Sequence, residues 1–287
     1  MQPKRYRETK AISQSVLKAI AKSPRKFEAY QNGTMEFEPT DAMDLGSLVD
    51  SMLLTPSEVA EYFVEIPETG VLTSNGQRRG KAWDAFEEAN AGKTPMKIKD
   101  FETARLVVEK IKLHPFWLQL CDKGFVTQRE CYWTDPITGL PCKALIDIFP
   151  RMPASNNWLA DLKTTENMDT FEAERFQMFR DAKIDDDGIL RSKAVLDFGY
   201  HAQAAWYCRG ASIANECTIN RFFLLVAEVK PPYRVKAFKI ADEAMLLGQI
   251  FVDKAMEGLA DRLLKNDFSE LGENEVVTIS VPDWAFK

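Results

Sequence analysis

Residues 142–165 read CKALIDIFPRMPASNNWLADLKTT, and this stretch decides the fold. Two apolar runs of strand length, Cys142–Phe149 and Trp158–Thr165, flank about eight residues rich in turn formers. Each run carries one aspartate, Asp147 in KALIDIF and Asp161 in WLADLKTT. Apolar strands seldom bury an aspartate without a partner. So short a connection lets the strands pair and brings the two carboxylates to one place. Lys163 follows Asp161 by two residues, so period-2 geometry puts both side chains on one strand face. The result is two carboxylates and an ammonium within reach of each other. Such a group has a chemistry: two carboxylates can hold one or two magnesium ions at a phosphate, and the metal lowers the pKa of a bound water. A lysine beside that water orients it and balances developing negative charge. A strand-borne D-x-K by itself is a weak signal and more often marks a structural ion pair.

Outward from this stretch, Phe125–Trp133 is strand-like and joins Cys142–Phe149 through the turn signal TDPITG, residues 134–139. Three strands in series predict an antiparallel meander. Downstream, a helix is expected over 169–178, a loop containing DDDG over 179–193 and a helix over about 195–213. Strands near 219–229 and 234–240 bracket Pro231-Pro232, and a long helix covers roughly 241–265. The first third reads as helical. Ser13 can cap a helix to about Tyr30, interrupted at Ser23-Pro24, and a second helix runs from Asp41 to Leu54. A turn-rich loop at 67–80 precedes helices at about 81–90 and 100–112. With no repeat and no dividing linker, the expectation is one α/β (α+β) domain over 1–287. Its central mixed sheet is flanked by helices, with a helical part over about 1–120 and a core over about 121–265.

Three further groups stand out. Gln203 and Tyr207, four apart in YHAQAAWY, share a helix face and suit phosphate or water contacts, or simple packing on the sheet. Asp50 lies on the apolar helix MDLGSLVDSMLL, either near its solvent edge, which the pattern slightly favours, or as a third metal ligand. Residues 1–30 hold eight basic and two acidic residues, a local +6 in a chain of formal charge −6. That basic segment, with Lys18, Lys22, Arg25 and Lys26, and the loop with Arg78, Arg79 and Lys81 are candidate backbone contacts for DNA, or solvated surface.

Other chemistries drop out by counting. The chain has two histidines, which excludes a zinc site built on several of them. Its five cysteines are scattered with no C-x-x-C pair, which fits reduced thiols and a cytoplasmic setting. Gly92-Lys93-Thr94 imitates a phosphate-binding loop but has Glu87 where that loop needs glycine. Residues 183–188, KIDDDG, fail as a calcium loop, with Lys183 and Ala194 at its end positions. No run is long enough to span a membrane, and no secretory h-region follows the N-terminus.

The order of a strand Asp, then D-x-K, then Q-x-x-x-Y resembles the PD-(D/E)xK nuclease superfamily. The nearest likeness is to exonuclease VIII (RecE-type) catalytic domains of the RecB-like group. ISQSVLKAIAKSPRKF, LGSLVDSMLLTP, YWTDPITGLPCKALIDIF, LADLKTT and YHAQAAWYCRG carry the resemblance, over roughly residues 11–240. It implies a restriction-endonuclease-like core, with Asp147 and Asp161 as metal ligands and Lys163 as the catalytic lysine. Gln203 and Tyr207 would support the site or touch the DNA strand, and Glu130 would stand behind it. Asp50 takes the place of the histidine usual in the first motif, and as an oxygen ligand still suits magnesium or manganese. Some relatives carry an iron–sulfur cluster on four cysteines. The spacing here does not match, so none is predicted. The implied activity is metal-dependent exonucleolysis of linear duplex DNA, 5′ to 3′, leaving 3′ single strands in phage or prophage recombination. The implied partners are duplex ends, a single-strand annealing protein and further copies of the chain in a ring. Two other readings remain open: a single-strand or end-trimming nuclease of the same superfamily, and a catalytically weak module that binds DNA ends.

Overall fold

The computed structural model describes residues 4–32, 34, 40–173, 189–270, 273 and 276–281. The chain opens with helices α1 (Lys4–Glu8), α2 (Gln14–Lys22), α3 (Pro24–Gln31) and α4 (Asp41–Leu54). A 3-10 turn, Pro56–Glu58, leads through α5 (Val59–Tyr62) to β1 (Phe63–Ile66), α6 (Lys81–Ala89), β2 (Thr94–Lys97), α7 (Ile98–Lys112) and α8 (Pro115–Lys123). Then follow β3 (Phe125–Thr134), β4 (Pro141–Pro150), β5 (Trp158–Thr165), α9 (Met168–Glu172), α10 (Lys193–Asp197) and α11 (Tyr200–Ala214). Strands β6 (Arg221–Glu228) and β7 (Val235–Lys239) and helix α12 (Asp242–Lys265) complete it.

The main sheet has the order β3-β4-β5-β6-β7 and is mixed, as expected. β5 and β6 run parallel and the other neighbours antiparallel. One face carries a core of Leu159, Phe222, Leu224 and Val226 packed on α2, α11 and α12, with Trp206 and Val252 fully enclosed. The other carries Trp158, Ala160, Leu162 and Leu225 under α4, α7 and α8. β6, covered on both faces, is continuously apolar from Phe222 to Ala227, and β5 is apolar over its first half, Trp158 to Leu162, apart from Asp161.

The expected meander is only half made. β3 and β4 pair along their length, but β4 and β5 meet at the single pair Ile148↔Ala160. Past that pair the strands part. The early end of β4 bonds to the N-terminal segment instead: Ile12 N–H donates to the Pro141 carbonyl and Lys143 N–H to the Ile12 carbonyl, each over 2.8 Å. The fork between β4 and β5 positions everything that follows.

Elsewhere the helices differ in detail from expectation. The helix foreseen over 195–213 is two, because Gly199 takes a left-handed conformation (φ 67) that ends α10 and starts α11. The helix foreseen over 169–178 runs from Met168 to Glu172 and ends there, with Ala173 extended, and residues 174–178, with most of the 179–193 loop, lie outside the described residues. The small parallel pair β1–β2 and helix α8 were not anticipated. Among the described residues, no helix is long and apolar enough to cross a membrane.

Candidate active site at the strand fork

Asp147 sits where β4 begins to leave β5. Its Oδ2 accepts from the backbone N–H of Leu162 at 3.1 Å, so a side chain stands where a ladder bond would close the fork. Its Oδ1 accepts from Gln128 Nε2 at 3.3 Å, on the other neighbouring strand. Across the fork, Asp161 is 2% exposed. Its Oδ1 accepts from Gln203 Nε2 of α11 at 2.8 Å, and its Oδ2 is ion-paired with Lys163. That pairing follows from the alternation read in the sequence: Leu159, Asp161 and Lys163 face α11, while Trp158, Ala160 and Leu162 face the opposite core.

The electrostatics are those of crowded acids. Burial first, then the charges of Asp161 and Asp50, push the Asp147 carboxyl well above its ordinary range, while Lys163 and the Leu162 amide pull it back. Burial pushes Asp50 up to about 7; Lys163 opposes this and Asp161 adds to it. For Lys163, burial disfavours the charged form, but Asp161 and Asp147 outweigh it and hold its pKa above the ordinary lysine value. Asp50 is half-buried rather than at a solvent edge, and it shares the field of Asp161 and Lys163. Gly46 makes this possible. A Cβ there would lie 2.8 Å from Thr164 Oγ1, so the missing side chain lets α4 come down onto β5, with Asp50 one turn further along the same helix face.

Lys163 also lies over the ring of Tyr200, 5.4 Å from its centroid. The turn that presents Tyr200 is tied to α2: Lys18 Nζ donates to the Phe198 carbonyl at 2.6 Å. Burial, then Lys22 and Lys163, lower the pKa of Lys18, which places its ammonium in the field of the site. Tyr207 stands half-buried on α11, its ring edge-on to Phe222 at 6.1 Å. Burial, then Asp161 and Asp147, raise its hydroxyl pKa, and a hydrogen bond with Gln203 opposes them. Gln128, Tyr200 and Gly46 went unremarked in the sequence. Tyr200 opens the YHAQAAWY segment, and Gly46 stands four residues before Asp50, so spacing carried some signal for both.

The remaining candidates disperse. Glu130 accepts from the Tyr132 hydroxyl at 2.7 Å, in a cluster with Tyr6, and is not among the charges felt at Asp147. Arg25 is occupied by Glu28 and Glu273. Arg78 donates to the Pro95 carbonyl at 3.1 Å and lies over Trp83. Lys22, Lys26, Arg79 and Lys81 are exposed.

The group these residues imply is a divalent cation. Asp50, Asp147 and Asp161 offer only hard oxygen donors, the chemistry magnesium or manganese takes. Lys163 is paired with the buried Asp161, and this one ammonium faces the three carboxyls of Asp50, Asp147 and Asp161, which leaves the group short of positive charge. The donor set therefore fits. It is not drawn up around an ion: among the described residues, no three carboxylate, histidine or cysteine side chains stand close enough together to hold one.

The fold is similar to the crystal structure of a Eubacterium rectale protein described as a putative exonuclease, with a TM-score of 0.60 and 18% identity, covering 99% of this chain and 95% of that one. No curated protein matches the sequence. A family model matches residues 13–269, and the chain belongs to that family, described as a PDDEXK-like domain of unknown function (DUF3799).

Proposed function

We propose that the chain is a divalent-metal-dependent DNA exonuclease that degrades linear duplex DNA from the 5′ end and leaves 3′ single-stranded tails. The observation that carries this reading is the convergence of Asp147, Asp161, Lys163 and Gln203 at one fork. A magnesium or manganese ion bound there would supply an activated water and stabilise the departing oxygen. Asp147 and Asp161 would hold it, with Asp50 as the third oxygen donor. Lys163 keeps its proton in this acidic setting and can balance charge developing on the attacked phosphate. Gln203 fixes the Asp161 carboxylate, and Tyr207 lies against that amide. Lys18, with no carboxylate partner among the described residues, is suited to a phosphate oxygen of the strand entering the fork. A ring of copies around the duplex, a basic channel inside an acidic exterior, and delivery of the tail to a single-strand annealing protein extend the same reading.

The test is digestion of duplex DNA labelled at either end, with magnesium or manganese, by the native chain and Lys163→Ala. Shortening of the 5′-labelled strand by the native chain alone supports both activity and site. Binding of DNA ends without cleavage by either protein, with either metal, would instead favour an end-binding module. Cleavage restricted to single strands would favour the end-trimming alternative.

A further inference from the structure

Gln128 is a half-buried residue in the interior of β3 with φ 51, a left-handed conformation that a strand does not call for. Its place in the ladder is vacant: Thr127 pairs with Ile148 and Arg129 with Ile146, and the Gln128/Asp147 position between them is skipped. The inside–outside alternation slips there on both strands at once. On β4, Cys142, Ala144 and Ile146 pack in the α11-side core, Ile148 packs in the opposite one and Phe149 returns to the first. On β3, Phe125 packs with the α4-side core, yet Cys131 and Trp133, of the same parity, pack with the α11 side. Without the slip, Asp147 would continue the row of Lys143 and Leu145. With it, the carboxylate turns into the fork and reaches Leu162 N–H. Glycine would take such a backbone at least cost. A glutamine there also brings an amide, and that amide donates to Asp147 Oδ1.

Resting on the nuclease reading above, we propose that Gln128 is a positioning residue. Its left-handed backbone turns Asp147 into the fork, and its amide fixes the carboxylate so that one face stays free for a divalent cation. The two parts separate by substitution. Gln128→Gly deletes the amide and relieves the left-handed strain, while Gln128→Ala deletes the amide and keeps that strain.

The test uses the full chain in native, Gln128→Gly and Gln128→Ala forms. It reads the thermal unfolding midpoint against manganese concentration, alongside cleavage of linear duplex DNA. Without metal, Gln128→Ala should unfold below the native midpoint, having lost the amide, and Gln128→Gly clearly above Gln128→Ala, since glycine takes this backbone without strain. Gln128→Gly should need about 10–100-fold more manganese for half its thermal gain and for half-maximal cleavage, with an unchanged KM for DNA. Native manganese dependence of Gln128→Gly in both readouts, while the native chain cuts, overturns the role of Gln128 alone. So does an equal midpoint for the two variants, which removes the backbone half of the argument. A native chain that neither cuts nor gains stability from manganese sinks the nuclease reading, and this proposal with it.

Discussion

Gln203 reaches from α11 to Asp161 on β5 and donates its side-chain amide to Oδ1 over 2.8 Å, both groups being buried. This bond and the Lys163 ion pair are the two contacts that satisfy an otherwise isolated buried carboxylate. Deleting the amide with Gln203→Ala leaves Asp161 to Lys163 alone. The expected cost is about 1–3 kcal/mol of stability, because an acceptor stays buried without its donor. On the nuclease reading proposed above, cleavage should fall on the order of 10–100-fold with little change in KM, since the lost contact would orient a metal ligand and would not touch DNA. Gln203→Glu sets a like charge against Asp161 and should do more damage than alanine at pH 8. Denaturant unfolding and steady-state cleavage of the two variants check this, and equal activity in all three proteins would remove Gln203 from the site.

Asp50 gives the metal-free protein a pH dependence whose sign follows from its raised pKa. A carboxyl held at about 7 in the fold and near 4 when unfolded contributes fully while protonated, below about pH 4. That contribution is lost as pH rises through about 7, because deprotonation is easier in the unfolded chain. Asp147, shifted in the same direction, adds to the slope. The apo protein should therefore lose on the order of 2–4 kcal/mol from this source between pH 4 and 8. Asp50→Asn should flatten the slope and raise stability at pH 8 in chelator. Manganese should restore the native chain at pH 8 and help the asparagine variant less. Unfolding midpoints in chelator across that range test it; parallel curves for the two proteins would place the titration elsewhere.

The contact of Gly46 with Thr164 makes the seating of α4 testable apart from chemistry. A methyl at position 46 would meet Thr164 Oγ1 at 2.8 Å, and a β-branched side chain on a strand has little room to turn away. Gly46→Ala should cost about 1–3 kcal/mol and lower activity by lifting Asp50 from the fork. Thr164→Ala removes the obstructing oxygen. The double variant should recover most of both losses, a coupling a double-mutant cycle reads directly. Additive losses would show that the helix does not rest on this contact.

These residues also show where the sequence was legible and where it was not. Asp161 and Lys163 could be placed on one face because β5 is regular and period-2 reasoning holds along it. The same reasoning misleads on β4, where alternation slips at Asp147. The cause is a backbone conformation at Gln128, which no side-chain pattern announces. The fork was hidden for a related reason. The apolar runs of β4 and β5 and their short connection argue for full pairing, whereas Ile12, far off in sequence, takes the bonds at the early end of β4. Helix α8 was missed although Pro115 at its first turn, His114 at its cap and Gly124 past its end spell out a helix in residue types. The resemblance set Glu130 behind the site from the neighbouring strand, whereas its side chain accepts from the Tyr132 hydroxyl.

The basic N-terminal segment yields a last prediction, because the structure divides residues that charge alone made equal. Lys22 and Lys26 are exposed, and Lys18 points its ammonium toward the fork. Arg25, between them in sequence, is held by Glu28 and Glu273, so contact with a phosphate would first have to break ion pairs. Each true phosphate contact adds roughly 0.9 to the slope of log affinity against log salt. Alanine at Lys18, Lys22 or Lys26 should therefore weaken duplex binding and lower that slope by about 1 each. Arg25→Ala should leave the slope nearly unchanged, and any effect should appear in the midpoint of unfolding. Lys18→Ala alone should also reduce cleavage at saturating DNA, since its ammonium is the one that shares the field of Lys163. Binding isotherms at four or five salt concentrations separate these cases. A slope that falls as far for Arg25→Ala as for Lys22→Ala would mean that the Glu28 and Glu273 pairs open to admit DNA.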